Sequence, residues 1–272
     1  MMKEFVMYLN GINGFSLGGA AVLKEFQEMG LIPARIYACG TGALFANDFA
    51  AMDGNFEDRI IYRFSHLSKS FRLFINTGES LFSKFTSVYK LAASVTSSKI
   101  KGMVKEKVMI SRLENTFKPQ MDVVYSAVNL LKAKEVLLTS REWKAGLKAA
   151  MSVVPIFVPA DYRNQKLVST TNVTGVPGFS TLNEEKRFKI FVNTMPHVGT
   201  KKVTKTWEIM MRADYLRTIA LIESFSKEFD MIIDFSDLPD EISDFSLQSW
   251  SYVKKKTKAM MKDTDVRTKL IL

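Results

Sequence analysis

The stretch from Arg35 to Ala46, with the sequence RIYACGTGALFA, constrains the fold more than any other part of the chain. Residues 36–38 predict a short apolar strand, and a helix is predicted to begin at Ala43, so the chain must turn sharply at the glycine-rich corner between them. A strand that turns sharply into a helix is the backbone arrangement of a nucleophile elbow, whose apex side chain projects over the sheet. The apex here is Gly40, so the sequence predicts the turn of a serine-hydrolase site without its nucleophile.

Composition limits the classes of protein to which this chain can belong. Its 272 residues, 47% of them hydrophobic, are enough for one core, and we expect a single domain over residues 1–272 with a helical insertion at about 55–118. One cysteine excludes an internal disulfide, and with two histidines it leaves no Cys/His zinc site, so we expect no metal and no cofactor. No apolar stretch is long enough to span a bilayer or to form a signal-peptide core. The expected location is cytoplasmic, with peripheral attachment to a membrane left open.

The net charge of +10 is concentrated in one segment of the sequence. Ten Lys and Arg residues lie between Arg59 and Lys107, against only Glu79 and Glu106. Such a basic segment favours an acidic partner, which is either nucleic acid or an anionic membrane surface. Because no nucleic-acid-binding motif accompanies the charge, we expect no nucleic acid partner and favour the lipid surface.

Apolar side chains recur at helical spacing within this basic segment, at positions 64, 67, 71 and 74. The pattern predicts a helix with one apolar stripe and leaves two interpretations open. The helix either packs on the sheet with a solvated basic flank, or it caps the domain and lies on anionic lipid. In the second interpretation the residues that contact lipid are Phe64, Phe71, Phe74, Lys69, Arg72, Lys84 and Lys90.

Strands alternate with helices along most of the chain. After a first strand at Lys3–Leu9, strands are predicted at 36–38, 121–130, 135–139, 189–193 and 231–233. Helices are predicted at 17–29, 43–52, 143–150, 207–225 and 245–261. This alternation predicts an α/β fold with a mainly parallel central sheet. The glycine-rich turn after the first strand lacks G-x-G-x-x-G spacing, and it serves either as an anion-binding cradle or as a site of close helix–strand packing.

Four segments, in this order, resemble the patatin-like phospholipase family, and the resemblance covers most of the chain. They are the elbow ACGTGAL at 38–44, MSVVPIFVP at Met151–Pro159, STTNVTGVP at Ser169–Pro177, and the C-terminal stretch at 229–246. The resemblance implies a three-layer α/β/α fold with a helical cap. Members of that family hydrolyse acyl esters of phospholipids and neutral lipids with a Ser–Asp pair and no histidine.

This chain differs from the family at the catalytic positions. Gly40 stands in place of the elbow serine, and Ser169 stands in place of the loop aspartate. The family's oxyanion loop falls on Gly11, Ile12, Asn13, Gly14, Phe15 and Ser16, which form the predicted ligand groove. Phe15 takes the place of a basic residue in that loop. Without an apex hydroxyl and a carboxylate no covalent acyl-enzyme forms, so the departures imply that hydrolysis is lost.

Three functions are compatible with this pattern. The first is a patatin-like pseudoenzyme that binds lipid or a membrane surface, or that acts as a protein partner, for example of an active relative. The second is an active lipid acyl hydrolase with a non-standard nucleophile, for which Cys39 and Thr41 are the candidates, although alternation along the strand is expected to bury the Cys39 thiol. The third is a structural or assembly scaffold. Neither His66 nor His197 has an evident nucleophile partner in the sequence.

Overall fold

The computed structural model describes residues 3–52, 54–75, 113, 116–154, 157–197, 206–239, 242, 244–263 and 266–271. Side chains are described at all of these positions except 65, 66, 68–75, 206–208, 210, 211, 263, 267 and 271. Within these residues, no helix combines the length and the apolar character that crossing a membrane requires.

Eight strands of the described chain form one sheet. They are β1 (Phe5–Leu9), β2 (Arg35–Ala38), β3 (Val123–Asn129), β4 (Lys134–Thr139), β5 (Ala160–Tyr162), β6 (Gln165–Ser169), β7 (Phe188–Asn193) and β8 (Met231–Asp234). The spatial order is β5-β6-β3-β2-β1-β7-β8, and β4 also pairs with β3. β1 lies in the middle and is buried along its whole length, as its five apolar residues require.

The sheet is mixed, so the prediction of a mainly parallel sheet is wrong. The strands β3, β2, β1, β7 and β8 run parallel, whereas β4, β5 and β6 are antiparallel to their neighbours. Tight hairpins cause the difference: Arg163 and Asn164 join β5 to β6 with φ of 46° and 61°, as a primed hairpin turn requires. Ala133, at φ 50°, precedes β4. Glycine marks most such turns in a sequence, and neither hairpin contains one.

The described α-helices are α1 (Leu17–Glu28), α2 (Gly42–Ala50), α3 (Phe56–Ile75), α4 (Trp143–Ala150), α5 (Thr206–Phe225), α6 (Leu247–Asp263) and α7 (Val266–Ile271). The five helices predicted outside the basic segment are confirmed as α1, α2, α4, α5 and α6, with ends that differ by at most two residues.

Helices flank both faces of the sheet, which gives the layers of an α/β/α fold. Alternate side chains of β1 point to opposite faces. Met7 and Leu9 join a first core that α1, α2, α3 and α6 cover. Val6 and Tyr8 join a second core that α5 covers through Ile222.

α3 carries the start of the predicted basic cap. Its Phe64 and Leu67 are 7% and 0% exposed and belong to the first core. Phe64 is thus a core residue, which corrects its prediction as a lipid contact, and this part of α3 follows the packing alternative. The other predicted lipid contacts have side chains outside the described residues; they are Phe71, Phe74, Lys69, Arg72, Lys84 and Lys90.

Candidate functional site

The predicted elbow has a left-handed apex. β2 ends at Ala38, α2 begins at Gly42, and Gly40 between them has φ of +61°. Residues with a side chain rarely adopt this conformation, because their Cβ comes too close to the following carbonyl oxygen. The backbone at the apex therefore favours glycine before any neighbour is considered.

Three segments that are distant in the sequence meet at the apex. The Gly40 amide donates hydrogen bonds to the Ala150 carbonyl oxygen at 2.8 Å and to Ser169 Oγ at 3.2 Å. The Thr41 amide donates to the Gly11 carbonyl oxygen at 3.0 Å. The structure thus brings together the predicted nucleophile position, the predicted acid position and the first residue of the predicted oxyanion loop.

The Gly11 carbonyl oxygen fills the space over the apex. A Cβ atom placed on Gly40 would lie 1.9 Å from this oxygen and 2.8 Å from Thr171 Oγ1. In α/β-hydrolases with this elbow, the amide after the apex helps to stabilise the oxyanion. Here that amide belongs to Thr41 and already donates to Gly11. The Gly11 carbonyl oxygen therefore fills the space that a nucleophile side chain would need. It also accepts the hydrogen bond of the amide that would stabilise an oxyanion.

The glycine-rich turn after β1 packs directly against the elbow. A Cβ on Gly11 would lie 2.7 Å from the Gly42 nitrogen, and a Cβ on Gly42 would lie 2.5 Å from the Asn10 carbonyl oxygen. Two backbone segments approach this closely only where both lack side chains. Of the two interpretations of the turn, this contact supports close packing.

The rest of the predicted ligand groove folds inward. Residues Asn13–Ser16 form one turn of 3₁₀-helix, in which Asn13 has φ of +54° and Ser16 Oγ donates to the Asn13 carbonyl oxygen at 2.6 Å. Phe15 belongs to the first core. Ile12 packs against the second core, and Gly14 is buried. These residues serve packing more than they line an open groove.

Hydroxyl and thiol groups surround Ser169 in a buried cluster. Ser169 Oγ accepts from the Gly40 and Thr171 amides, each at 3.2 Å. Thr171 Oγ1 donates to Cys39 Sγ at 3.2 Å. Burial raises the pKa of the Cys39 thiol to about 12, so the sulfur stays protonated at neutral pH. Thr41 precedes α2 at its N-cap position, without a side-chain capping bond.

A polar ladder at the carboxyl ends of β1, β7 and β8 escaped the sequence analysis. Asn10 Nδ2 donates to the Gly175 carbonyl oxygen at 2.9 Å and to Asn193 Oδ1 at 3.0 Å. Asn193 Nδ2 donates to Asp234 Oδ1 at 3.0 Å. Each ladder residue ends or follows a buried strand, and the carboxyl edge of a parallel sheet is where ligand sites of α/β proteins lie. Their positions at or directly after the ends of strands are the sequence signal that could have identified these polar residues.

His197 also has a partner that sequence analysis did not find. Its Nε2 lies 3.0 Å from Ser236 Oγ, and Ser236 Oγ donates to Asp234 Oδ2 at 2.8 Å. These groups border a cavity of about 140 Å³ between α5 and the strands β7 and β8. A catalytic triad requires the carboxylate to orient the imidazole. Here the Asp234 carboxylate accepts a hydrogen bond from Ser236 in place of the imidazole of His197, so the three groups do not have the arrangement of a catalytic triad. The described residues contain no group of three metal-ligating side chains.

A buried ion pair fixes the elbow helix α2 to α3. Arg63 of α3 donates to both carboxylate oxygens of Asp48 in α2, at 2.8 and 2.9 Å, and both side chains are buried. Two parallel bonds of this kind hold the relative orientation of the helices as well as their distance.

Comparison with known proteins adds little to this geometry. No protein-family model matches the chain, and no curated protein matches its sequence. Among solved structures it is similar to VipD from Legionella pneumophila, with a TM-score of 0.44 and 11% sequence identity, over 95% of this chain and 67% of that chain. What this chain does must therefore be inferred from its own residues.

Proposed function

We propose that this chain is a patatin-like pseudoenzyme, which binds a lipid or a membrane surface or acts as the partner of another protein, such as an active relative. The contact between the Gly11 carbonyl oxygen and the elbow carries the proposal. The oxygen lies where a nucleophile would need its Cβ, 1.9 Å away, and it accepts the amide that would stabilise an oxyanion. The chain thus keeps the backbone turn of the elbow, while the Gly11 carbonyl oxygen fills the space that a nucleophile would need.

Acyl transfer by an elbow serine needs three groups that act together: the hydroxyl, a group that orients and deprotonates it, and the oxyanion donors. Position 40 supplies no hydroxyl, and position 169 supplies a serine in place of a carboxylate. The Thr41 amide is already bound. Because removal of one member of such a set abolishes most of the catalysis, the loss of all three supports a role other than hydrolysis.

The alternative, an active hydrolase with a non-standard nucleophile, is less well supported. Cys39 would need a thiolate, and its thiol is fully buried with a pKa raised to about 12. Ser169 Oγ is held by two backbone amides that donate to it. These hydrogen bonds occupy the lone pairs that the oxygen would use as a nucleophile.

Binding to lipid or to a partner is supported by charge. The chain carries a net charge of +10, which favours anionic surfaces. We further propose that residues 1–272 form one domain in which residues 55–118 are an insertion. The scaffold function remains the competitor, and it differs in requiring no affinity for lipid.

The test is hydrolysis of a fluorogenic phospholipid in anionic vesicles by the purified wild-type chain, with an active patatin-like hydrolase as positive control. We expect no turnover above background. The Gly40→Ser/Ser169→Asp variant should also be inactive, because a side chain at position 40 collides with Gly11. Turnover by wild type that disappears in Cys39→Ala or Thr41→Val would contradict the proposal and support the hydrolase alternative.

A further inference from the structure

The outward face of α6 is a continuous basic stripe. Its inward positions, Trp250, Val253, Thr257 and Met261, are buried at helical spacing. The opposite positions are exposed and include Tyr252, Lys255, Lys258, Ala259 and Lys262. We call Lys255, Lys258 and Lys262 the α6 lysine stripe. Its members are three or four residues apart, so their side chains lie on one face over roughly 10 Å.

The lysines of the stripe form no ion pair within the described residues. α6 holds five lysines and one acidic residue, Asp263 at its last position. The two lysines on the flanks of the helix are paired: Lys254 with Glu57, and Lys256 with Asp237 at 2.7 Å. Among the described residues, no ion pair joins the three lysines of the stripe to a carboxylate, although the charge of Lys258 reaches Glu28 of α1 and helps Lys24 to lower the pKa of that carboxyl. Most of the charge that faces solvent is therefore outside the described ion pairs.

We propose that the α6 lysine stripe docks on an anionic membrane surface; this inference rests on the membrane-binding form of the proposed function. Lysines attract acidic headgroups and keep their amines in water while their methylene stems lie on apolar material. Tyr252 and Leu247, which are 44% and 60% exposed toward the start of the helix, supply side chains suited to the headgroup boundary. A straight, one-sided face of this kind fits a planar surface.

Contacts at Glu57 hold the start of α3 beside α6. Glu57 lies in the first turn of α3 and accepts hydrogen bonds from Trp250 Nε1, at 2.8 Å, and from Lys254. The first turn of α3 is therefore held against the flank of α6.

The first experiment measures co-sedimentation with phosphatidylcholine vesicles that contain or lack phosphatidylserine, at low and at physiological salt. The variant Lys255→Gln/Lys258→Gln/Lys262→Gln removes the stripe and keeps helix propensity, because glutamine and lysine are similar helix formers. Each lysine near an anionic surface contributes about fivefold in affinity, so we expect roughly a 100-fold loss, larger at low salt. The control Lys132→Gln/Lys134→Gln/Lys144→Gln changes the same charge at exposed positions near β4, and its binding should stay within about threefold of wild type.

The outcomes separate this inference from the proposed function. Wild type that binds anionic vesicles, together with an unchanged stripe variant, overturns the inference alone. Wild type that binds no vesicle, even at low salt, overturns both the inference and the membrane form of the proposed function. A stripe variant that loses polyuridylate binding but keeps vesicle binding also overturns the inference, because it assigns the stripe to nucleic acid.

A second measurement locates the contact. Ala259→Cys places a single reactive thiol within the stripe, since the native Cys39 is fully buried with a raised pKa. An environment-sensitive fluorophore at this position should shift to shorter wavelength when phosphatidylserine vesicles are added. The same fluorophore on Leu131→Cys, in an exposed turn before β4, should not shift. A shift at Leu131→Cys only, with bound protein, overturns the inference.

Discussion

Gly40 has two separate physical reasons to lack a side chain. Its φ of +61° disfavours any L side chain, and the Gly11 carbonyl oxygen lies 1.9 Å from the position of its Cβ. Gly30 provides a comparison within the same chain, because its φ is +71° and nothing lies within 4 Å of its Cβ position. The two glycines thus share the conformational requirement and differ only in their neighbours.

We expect Gly30→Ala to lower the free energy of unfolding by about 1–2 kcal/mol, the conformational cost alone. Gly40→Ala should lower it by more than about 4 kcal/mol, since backbone must move to admit the methyl group. Urea denaturation of the two variants beside wild type measures the difference. Equal losses would mean that the loop after β1 moves away easily, and that the elbow is open to a nucleophile.

The thiol of Cys39 is expected to be inert in the folded protein. It is fully buried, it accepts a hydrogen bond from Thr171, and its pKa is raised to about 12. A thiol-specific disulfide reagent at pH 8 should therefore react with the native chain at least about 100-fold more slowly than with the chain in denaturant. Rapid reaction of the native chain would restore Cys39 as a candidate nucleophile.

At the scale of elements, the pair Asp48–Arg63 joins the elbow helix α2 to α3. Both side chains are buried, and burial raises the pKa of the Asp48 carboxyl even beside Arg63. Removal of Arg63 therefore leaves Asp48 in a low-dielectric setting without its main partner. We expect Arg63→Met to lower the free energy of unfolding by about 3–5 kcal/mol. The double variant Asp48→Leu/Arg63→Met should recover part of this loss, because two apolar groups of similar size leave no unpaired charge.

The exposed pair Arg217–Asp214 on α5 is a matched control, with side chains 63% and 56% exposed. Arg217→Met should change stability by less than about 1 kcal/mol. Chemical denaturation measures all of these variants. A loss in Arg63→Met as small as that in Arg217→Met would contradict a role of the buried pair in holding α3 on α2.

Local patterns predicted most elements, and long-range contacts explain the rest. RIYACGTGALFA specified β2, the turn and α2 because strand, glycine and helix signals follow one another directly. The β5–β6 hairpin was missed because Arg163 and Asn164 adopt positive φ without a glycine. The partner of Arg63 depends on how α3 lies on α2, and no spacing in the sequence reports that.

The sequence predicted where the candidate site lies, but it did not predict that the Gly11 carbonyl oxygen fills the site. The order of motifs placed Gly11, Gly40 and Ser169 together, and the structure joins them by hydrogen bonds through Thr41 and Gly40. That the Gly11 carbonyl oxygen turns into the site follows from the loop conformation, in which Asn13 adopts φ of +54°. This conformation is set by packing on both sides of the loop, so the sequence alone predicted an empty groove.

At the scale of the whole molecule, Glu57 connects α1, α3 and α6. It pairs with Lys24 at 3.3 Å and accepts hydrogen bonds from Trp250 and Lys254. Burial opposes the charged form of Glu57, but the donors outweigh burial and lower its pKa from 4.5 to about 2. A carboxyl whose pKa is lower in the folded state stabilises the fold above its unfolded pKa, and this contribution disappears as the pH falls through the folded pKa.

We therefore expect Glu57→Gln to lower the free energy of unfolding at pH 7 by on the order of 1–2 kcal/mol, after allowance for screening by solvent. The difference from wild type should shrink as the pH falls from about 4.5 to about 2. Thermal denaturation across this range measures it, with Asp58→Asn in the same helical turn as control. A difference that stays constant with pH would show that Glu57 acts through packing and not through charge.

The hydrogen bond between the Thr41 amide and the Gly11 carbonyl oxygen also has a consequence for descent. If an ancestor of this chain was a serine hydrolase, the loss is hard to reverse by single substitutions. Any residue larger than glycine at position 40 meets the Gly11 carbonyl oxygen first, so selection would remove it for poor folding before it could be kept for activity. In such a lineage, a return to catalysis would require the loop after β1 to move before a serine could be tolerated at position 40, so the order of the substitutions would matter as much as their identity.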